Sequence, residues 1–201
     1  MRKMRLVLVT IGLFYCWLAF AAVSPVDMLR VTSESAISQL KANQMTLRSN
    51  PTVVYRIINK ILLPHIDVQT MSRVALGREA WLKATPQQRE QFIKEFTTLM
   101  TRTYASALAA YTDETVKFMP LRETPDSNRT QVDSQIIRDD GPTIAVSYRL
   151  VLKGDDWKVY DISVEGVSML ESFRSQFADE LAKGDMQHLL QTLSQHNKEI
   201  A

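Results

Sequence analysis

Few side chains in this sequence are equipped for catalysis, and their spacing says why they are not assembled for it. The histidines are His65, His188 and His196, and no two have the H-E-x-x-H spacing that puts a pair of imidazoles on one helix face to hold a metal. His188 and His196, eight apart, read as a solvated helix face. His65, between Pro64 and Ile66, reads as a hydrogen-bonding group at a helix junction. Ser168 follows Gly166-Val167, but position 170 is Leu, so the strained G-x-S-x-G turn that exposes a nucleophile is absent. It suits a helix cap, with Glu171 three residues on as reciprocal partner. Asp161 and Glu165 fall on one side of a strand yet about 13 Å apart, too far to share a proton. None of the 6 glycines belongs to a phosphate-cradling loop, so neither nucleotide nor metal nor any other cofactor is expected. Arg73, Lys158 and Arg174 are either surface ion-pairing groups or cations that position a phosphate or a partner.

The elements that hold these residues can be read from periodicity. Ser24-Pro25-Val26-Asp27 opens a helix to about Arg48, and Asn50-Pro51 opens another that Pro64 ends. Asp67 caps a short helix carrying Met71, Val74 and Ala75. Thr85-Pro86-Gln87-Gln88 is a capping box. It starts a long helix with Phe92, Phe96, Leu99, Thr103, Ala107 and Tyr111 along one stripe. From Val116 to Val164 the period becomes two, giving four strands near 115–120, 129–138, 143–153 and 156–164, the last three an antiparallel meander. The third strand sends Ile144, Val146, Tyr148, Leu150 and Leu152 to one face, and the fourth sends Tyr160, Ile162 and Val164. Helix then returns with Leu170, Phe173, Phe177 and Leu181, stops near Gly184, and resumes after Asp185. Helices before and after one antiparallel sheet define an α+β domain with helices on the apolar face, around an apolar pocket if the sheet curls.

Within 201 residues, 45% hydrophobic and 23% charged, there is material for one core, not for a disordered tail or a disulfide scaffold. Residues 1–5 are cationic, 6–20 uncharged and mostly apolar, and Ala19-Phe20-Ala21 ends the run, which is the order of an export signal spanning residues 1–21. The mature domain is then 22–201. Cys16, the single cysteine, falls in the leader, so the exported domain would depend on its core alone. Without Arg2, Lys3 and Arg5 the 24 basic residues become 21 against 22 acidic ones, a net charge of about −1. That balance argues against nucleic acid as a partner.

Three blocks of residues carry a resemblance. They are Pro64-His65-Ile66-Asp67 through Ser72-Arg73-Val74-Ala75-Leu76-Gly77 to Trp81; Ala84-Thr85-Pro86-Gln87-Gln88-Arg89 with Phe92, Phe96, Leu99 and Thr103-Tyr104; and residues 157–168, Trp-Lys-Val-Tyr-Asp-Ile-Ser-Val-Glu-Gly-Val-Ser, followed by Phe173-Arg174-Ser175-Gln176-Phe177. Their order and spacing resemble the MlaC family of exported phospholipid-binding proteins, also called the toluene-tolerance family. Phe173 departs from the tyrosine common before the arginine.

The resemblance implies a periplasmic, non-enzymatic carrier. In the family the carrier exchanges phospholipid between an outer-membrane lipoprotein and porin complex and an inner-membrane ABC transporter complex with lipid-binding subunits, maintaining outer-membrane lipid asymmetry. The facing stripes then nominate the lipid-binding residues: Phe96, Leu99, Met100 and Tyr104 from the long helix, Val146, Tyr148 and Leu150 from the third strand, and Tyr160, Ile162 and Val164 from the fourth, with a shift of one register reversing a strand's face. Two other readings stay open at this point. One is a small exported hydrolase or isomerase on a helix-plus-sheet cone using Asp161, His65 or Tyr160. The other is a ligand-free adaptor whose sheet is filled by its own side chains.

Overall fold

Helix starts are decided locally in this chain. In the computed structural model, which describes residues 24–47, 49–121, 128–138 and 141–199, α1 (Pro25–Ala42), α2 (Pro51–Ile57) and α5 (Pro86–Ala109) each begin at a proline, where the missing N–H would have had no partner anyway. Asn50 accepts the Thr52 amide at the head of α2, and Asp67 that of Thr70 at the head of α3 (Val68–Leu76). After Gly77, at φ 82°, comes α4 (Arg78–Lys83). Thr85 and Gln88 close the expected capping box on α5. Ser168 accepts the Glu171 amide before α6 (Met169–Lys183), and Asp185 that of His188 before α7 (Met186–Glu199).

Two helix expectations need correction. The first helix stops at Ala42 and turns, short of Arg48, which like the leader at 1–21 lies outside the described residues. The second does not end at Pro64: beyond Ile57 it widens into a π-helical turn (Ile58–Leu62), then tightens into a 3-10 turn (Leu63–His65) that contains the proline.

The sheet is an antiparallel meander of five strands in chain order, β1 (Thr115–Phe118), β2 (Arg129–Ile137), β3 (Ile144–Lys153), β4 (Asp156–Val164) and β5 (Val167–Ser168). The two-residue β5, after a turn with Glu165 and Gly166 at positive φ, is the strand beyond the four expected. It covers only the far end of β4. Nearer the middle Ile66 pairs in parallel with Val159, and the Asp67 amide donates to the Val159 carbonyl at 2.8 Å, so this stretch of edge is also occupied.

A bulge in β4 resets which side chains share a face. Arg149 pairs with Asp161 but Leu150 pairs with Val159, leaving Tyr160 without an opposite number. Cross-strand partners share a face, so Trp157 and Val159 join Leu152 and Leu150, and beyond the bulge Ile162 and Val164 join Tyr148 and Val146. The expected row Tyr160, Ile162, Val164 is therefore broken at its first member, which turns toward the helices.

The result is an α+β fold whose interior is divided. One buried cluster joins α3, α5, α6 and α7 through Met71, Ala75, Phe92, Phe96, Phe173, Phe177 and Leu190. A second joins α1, α2, the π turn and Ala105. A third puts Val26, Met28 and Leu29 of α1 under Val132, Leu150, Trp157 and Val159 of the sheet. The stripe along α5 rotates accordingly: Phe92, Phe96 and Leu99 face α3, α6 and α7, then Ala105 faces α2, leaving Thr103 and Ala107 exposed.

Candidate functional site

The nominated apolar residues fall into two groups, not one. Phe96 and Leu99 are buried and Met100 and Tyr104 half-buried in the helical cluster, where Tyr160 joins them. Phe96 meets Phe173 and Phe177 edge-to-face at centroid distances of 5.1 and 5.4 Å, and Phe92 meets Phe177 at 5.3 Å. Such pairs add about 0.5–1.5 kcal/mol each beyond burial, so this wall is firm. Tyr148, Leu150 and Ile162 belong instead to the sheet cluster. Val146 is buried on the same face, and its partner Val164 is 40% exposed at the strand end. The element covering the nominated sheet face is α1, not the long helix as the facing stripes suggest. The bulge and the helical partners of α5 account for the difference.

Where the clusters end, large apolar side chains stand half-buried: Ile61 and Leu62, then Ile66, Met100, Tyr104 and Tyr160, then Phe118, Tyr148 and Ile162. Burial raises the phenol pKa of Tyr104 and of Tyr148. Both rings stay neutral at physiological pH and offer uncharged surface. Sequence periodicity passes over Trp157, Val159 and Phe118 and the α1 residues that complete the sheet cluster. The one available signal is the change of phase from odd (157, 159) to even (162, 164) apolar positions, which requires an inserted residue.

The polar candidates are tied to structure. Asp161 is 1% exposed. One oxygen accepts the Ser168 hydroxyl at 2.8 Å and the other the Leu170 amide at 3.3 Å, with the Arg149 guanidinium 3.4 Å away. It is thereby the anchor of α6 on the sheet. His65 lies in the 3-10 turn, held below its ordinary pKa by burial and by Lys158, with Asp156 pulling the other way. Lys158 donates to the Pro64 carbonyl at 2.9 Å and stands 3.6 Å from Asp156, which fixes the same junction. Arg73 on α3 and Arg174 on α6 are exposed, and Arg174 passes over Gly77. Two clefts open among the described residues. One of about 460 Å³ runs along α7 by His188, Gln195 and His196. The other, about 240 Å³, lies between α5 and the π turn and was not foreseen from sequence.

Comparison with known proteins gives a consistent answer. Residues 30–195 match the family model described as MlaC protein. Toluene tolerance protein ttg2D of Pseudomonas putida is 31% identical over 166 residues, 83% of this chain and 77% of that protein. The intermembrane phospholipid transport system binding protein MlaC of Haemophilus influenzae is 29% identical over 181 residues, 88% and 84% of the two chains. A solved phospholipid-binding protein from Ralstonia solanacearum, in complex with a phospholipid, superposes with a TM-score of 0.80 at 29% identity, covering 87% of this chain and 97% of that one. With the family model spanning α1 to α7 and the same fold in a relative of this identity, the chain belongs to the MlaC family.

Proposed function

We propose that this protein binds one phospholipid and carries it across the periplasm, without catalysis, between an outer-membrane lipoprotein and porin complex and an inner-membrane ABC transporter complex, so that phospholipid is kept out of the outer leaflet. Residues 1–21 act as a cleaved leader and 22–201 as the single lipid-binding domain. The acyl tails enter the seam between the helical wall of Phe96, Leu99, Met100, Tyr104 and Tyr160 and the sheet wall of Val146, Tyr148, Leu150, Ile162 and Val164.

The carrying observation is the divided core. A domain ordinarily has one contiguous cluster of buried apolar side chains with smaller satellites, whereas here the buried side chains fall into three clusters of comparable size, each with large half-buried aromatic and aliphatic side chains packed against it. Parting such clusters breaks few buried contacts, and a tail lying between them replaces those that are lost. The need for shelter is large: about 30 methylenes at about 0.8 kcal/mol each cost on the order of 24 kcal/mol in water, which forbids free diffusion between membranes. Names and structures of the relatives, which refer to phospholipid binding and intermembrane transport, support the same reading.

The test is native mass spectrometry with lipid extraction of protein purified from cells, together with a strain lacking it. One phospholipid per chain is expected, along with phospholipid accumulating in the outer leaflet of the mutant. Protein that is always empty and takes no labelled lipid from vesicles sinks the proposal.

A further inference from the structure

The cleft between α5 and the π turn has a chemistry unlike the seam. Tyr55, Asn59, Thr97, Thr98, Thr101 and Arg102 line it, and the Arg102 Nη1 is buried without a hydrogen-bond partner among the described residues. A guanidinium nitrogen removed from water and left unpaired is costly, and an anion held by charge-assisted hydrogen bonds relieves that cost. Thr97 and Thr98 return their hydroxyls to the Ile93 and Lys94 carbonyls. Thr101, Tyr55 and Asn59 line the cleft and make no such bond among the described residues, which leaves their donors available to a ligand.

The surrounding charge agrees. Of the lining residues only Arg102 is charged. Arg56 and Lys60 lie beside Tyr55 and Asn59 in the chain, and Glu95, three residues before Thr98, accepts the Asn197 amide at 2.7 Å. A second, backbone feature lies at the same place: Asn59 sits in a π turn, a rare geometry that is frequent at functional sites. The cleft, about 240 Å³ and open to solvent, has room for a small oxyanion beside Arg102.

We infer that this cleft is a binding site for a phosphate-class oxyanion, with Arg102 as its charged anchor and Thr101, Tyr55 and Asn59 as neutral donors. The oxyanion is either the phosphodiester of the carried lipid, which deepens the proposed function and rests on it, or free phosphate, which does not.

Inorganic phosphate titrated into lipid-stripped, isotopically labelled protein should shift the Thr98, Thr101 and Arg102 amides to saturation. Arg102→Gln should weaken that binding tenfold or more without changing the melting temperature, and Arg102→Lys should weaken it less. Loading from vesicles of phosphatidylethanolamine and phosphatidylglycerol identifies the source. If the headgroup occupies the cleft, loaded protein ignores phosphate and Arg102→Gln retains less lipid; if the site serves free phosphate, loaded protein still responds. No saturable response in stripped wild type, with lipid uptake by Arg102→Gln equal to wild type, overturns the inference and leaves only a hydrated arginine. Failure of the carrier reading is a separate result: stripped wild type that takes no lipid from those vesicles, whatever it does with phosphate.

Discussion

At the residue scale, two carboxylates, Asp161, weighed in sequence as an acid or base, and Asp67, read there as a helix cap, are both structural, and each gives a measurable consequence. Asp161 is buried with both oxygens engaged by the first turn of α6. Asp161→Ala leaves the Ser168 hydroxyl and the Leu170 amide without an acceptor, which should cost about 2–3 kcal/mol in urea unfolding, and Asp161→Asn, which keeps one acceptor, less. A loss below 0.5 kcal/mol for the alanine variant would show that α6 is anchored elsewhere. Asp67 behaves differently because it is held low: burial raises its pKa, but hydrogen bonds from the Thr70 hydroxyl and amide, and from Lys153, outweigh burial and leave it below the ordinary 3.8. A depressed folded pKa contributes stability above the unfolded value and loses it as pH falls through the folded value. Asp67→Asn should therefore be destabilising at neutral pH, with the gap to wild type closing below about pH 3.8, as followed by denaturation across that range.

At the scale of elements, the decisive feature is the β4 bulge, because it sends Tyr160 toward the helices and Ile162 toward α1. Ile162→Trp adds bulk at the half-buried margin of the sheet cluster, where overpacking costs about 1–3 kcal/mol. The variant should stay folded and copurify with several-fold less phospholipid; an unchanged lipid load would place the tails away from the sheet face. How far the sequence reveals such features depends on how local their causes are. The Thr85 box, the Asp67 cap and the strand meander are determined within a few residues, and all are legible. The bulge arises from a phase conflict between Trp157-Val159 and Ile162-Val164 that needs the pairing with β3 to resolve. The rotation of the α5 stripe from Leu99 to Ala105 depends on which helix lies opposite. The π turn and the Arg102 cleft emerge when two distant segments meet, and no periodicity anticipates them. For the same reason the nominated apolar residues other than Val164, which is exposed at the strand end, are buried or half-buried, while their division between two walls is not legible in the sequence.

For the molecule as a whole, a divided core makes stability and ligand inseparable. No helix among the described residues is long and apolar enough to cross a membrane. If the seam is the binding site, filling it adds apolar contacts that the empty chain lacks, and the folded state gains RT ln(1 + [L]/Kd) from mass action. At about a hundredfold excess over Kd this is about 2.7 kcal/mol, which for a domain of this size corresponds to an increase in melting temperature on the order of 5–10 °C. Protein stripped of lipid should melt lower by that amount, recover when reloaded from vesicles, and give up amide protection first along α1 and the π turn, where the clusters meet. The helical cluster with its four packed phenylalanines should stay protected in both forms, since its rings are complete without ligand. Equal melting of stripped and loaded protein, with uniform protection across the three clusters, would mean that the seam does not open. The tails would then require a surface other than the one the divided core provides.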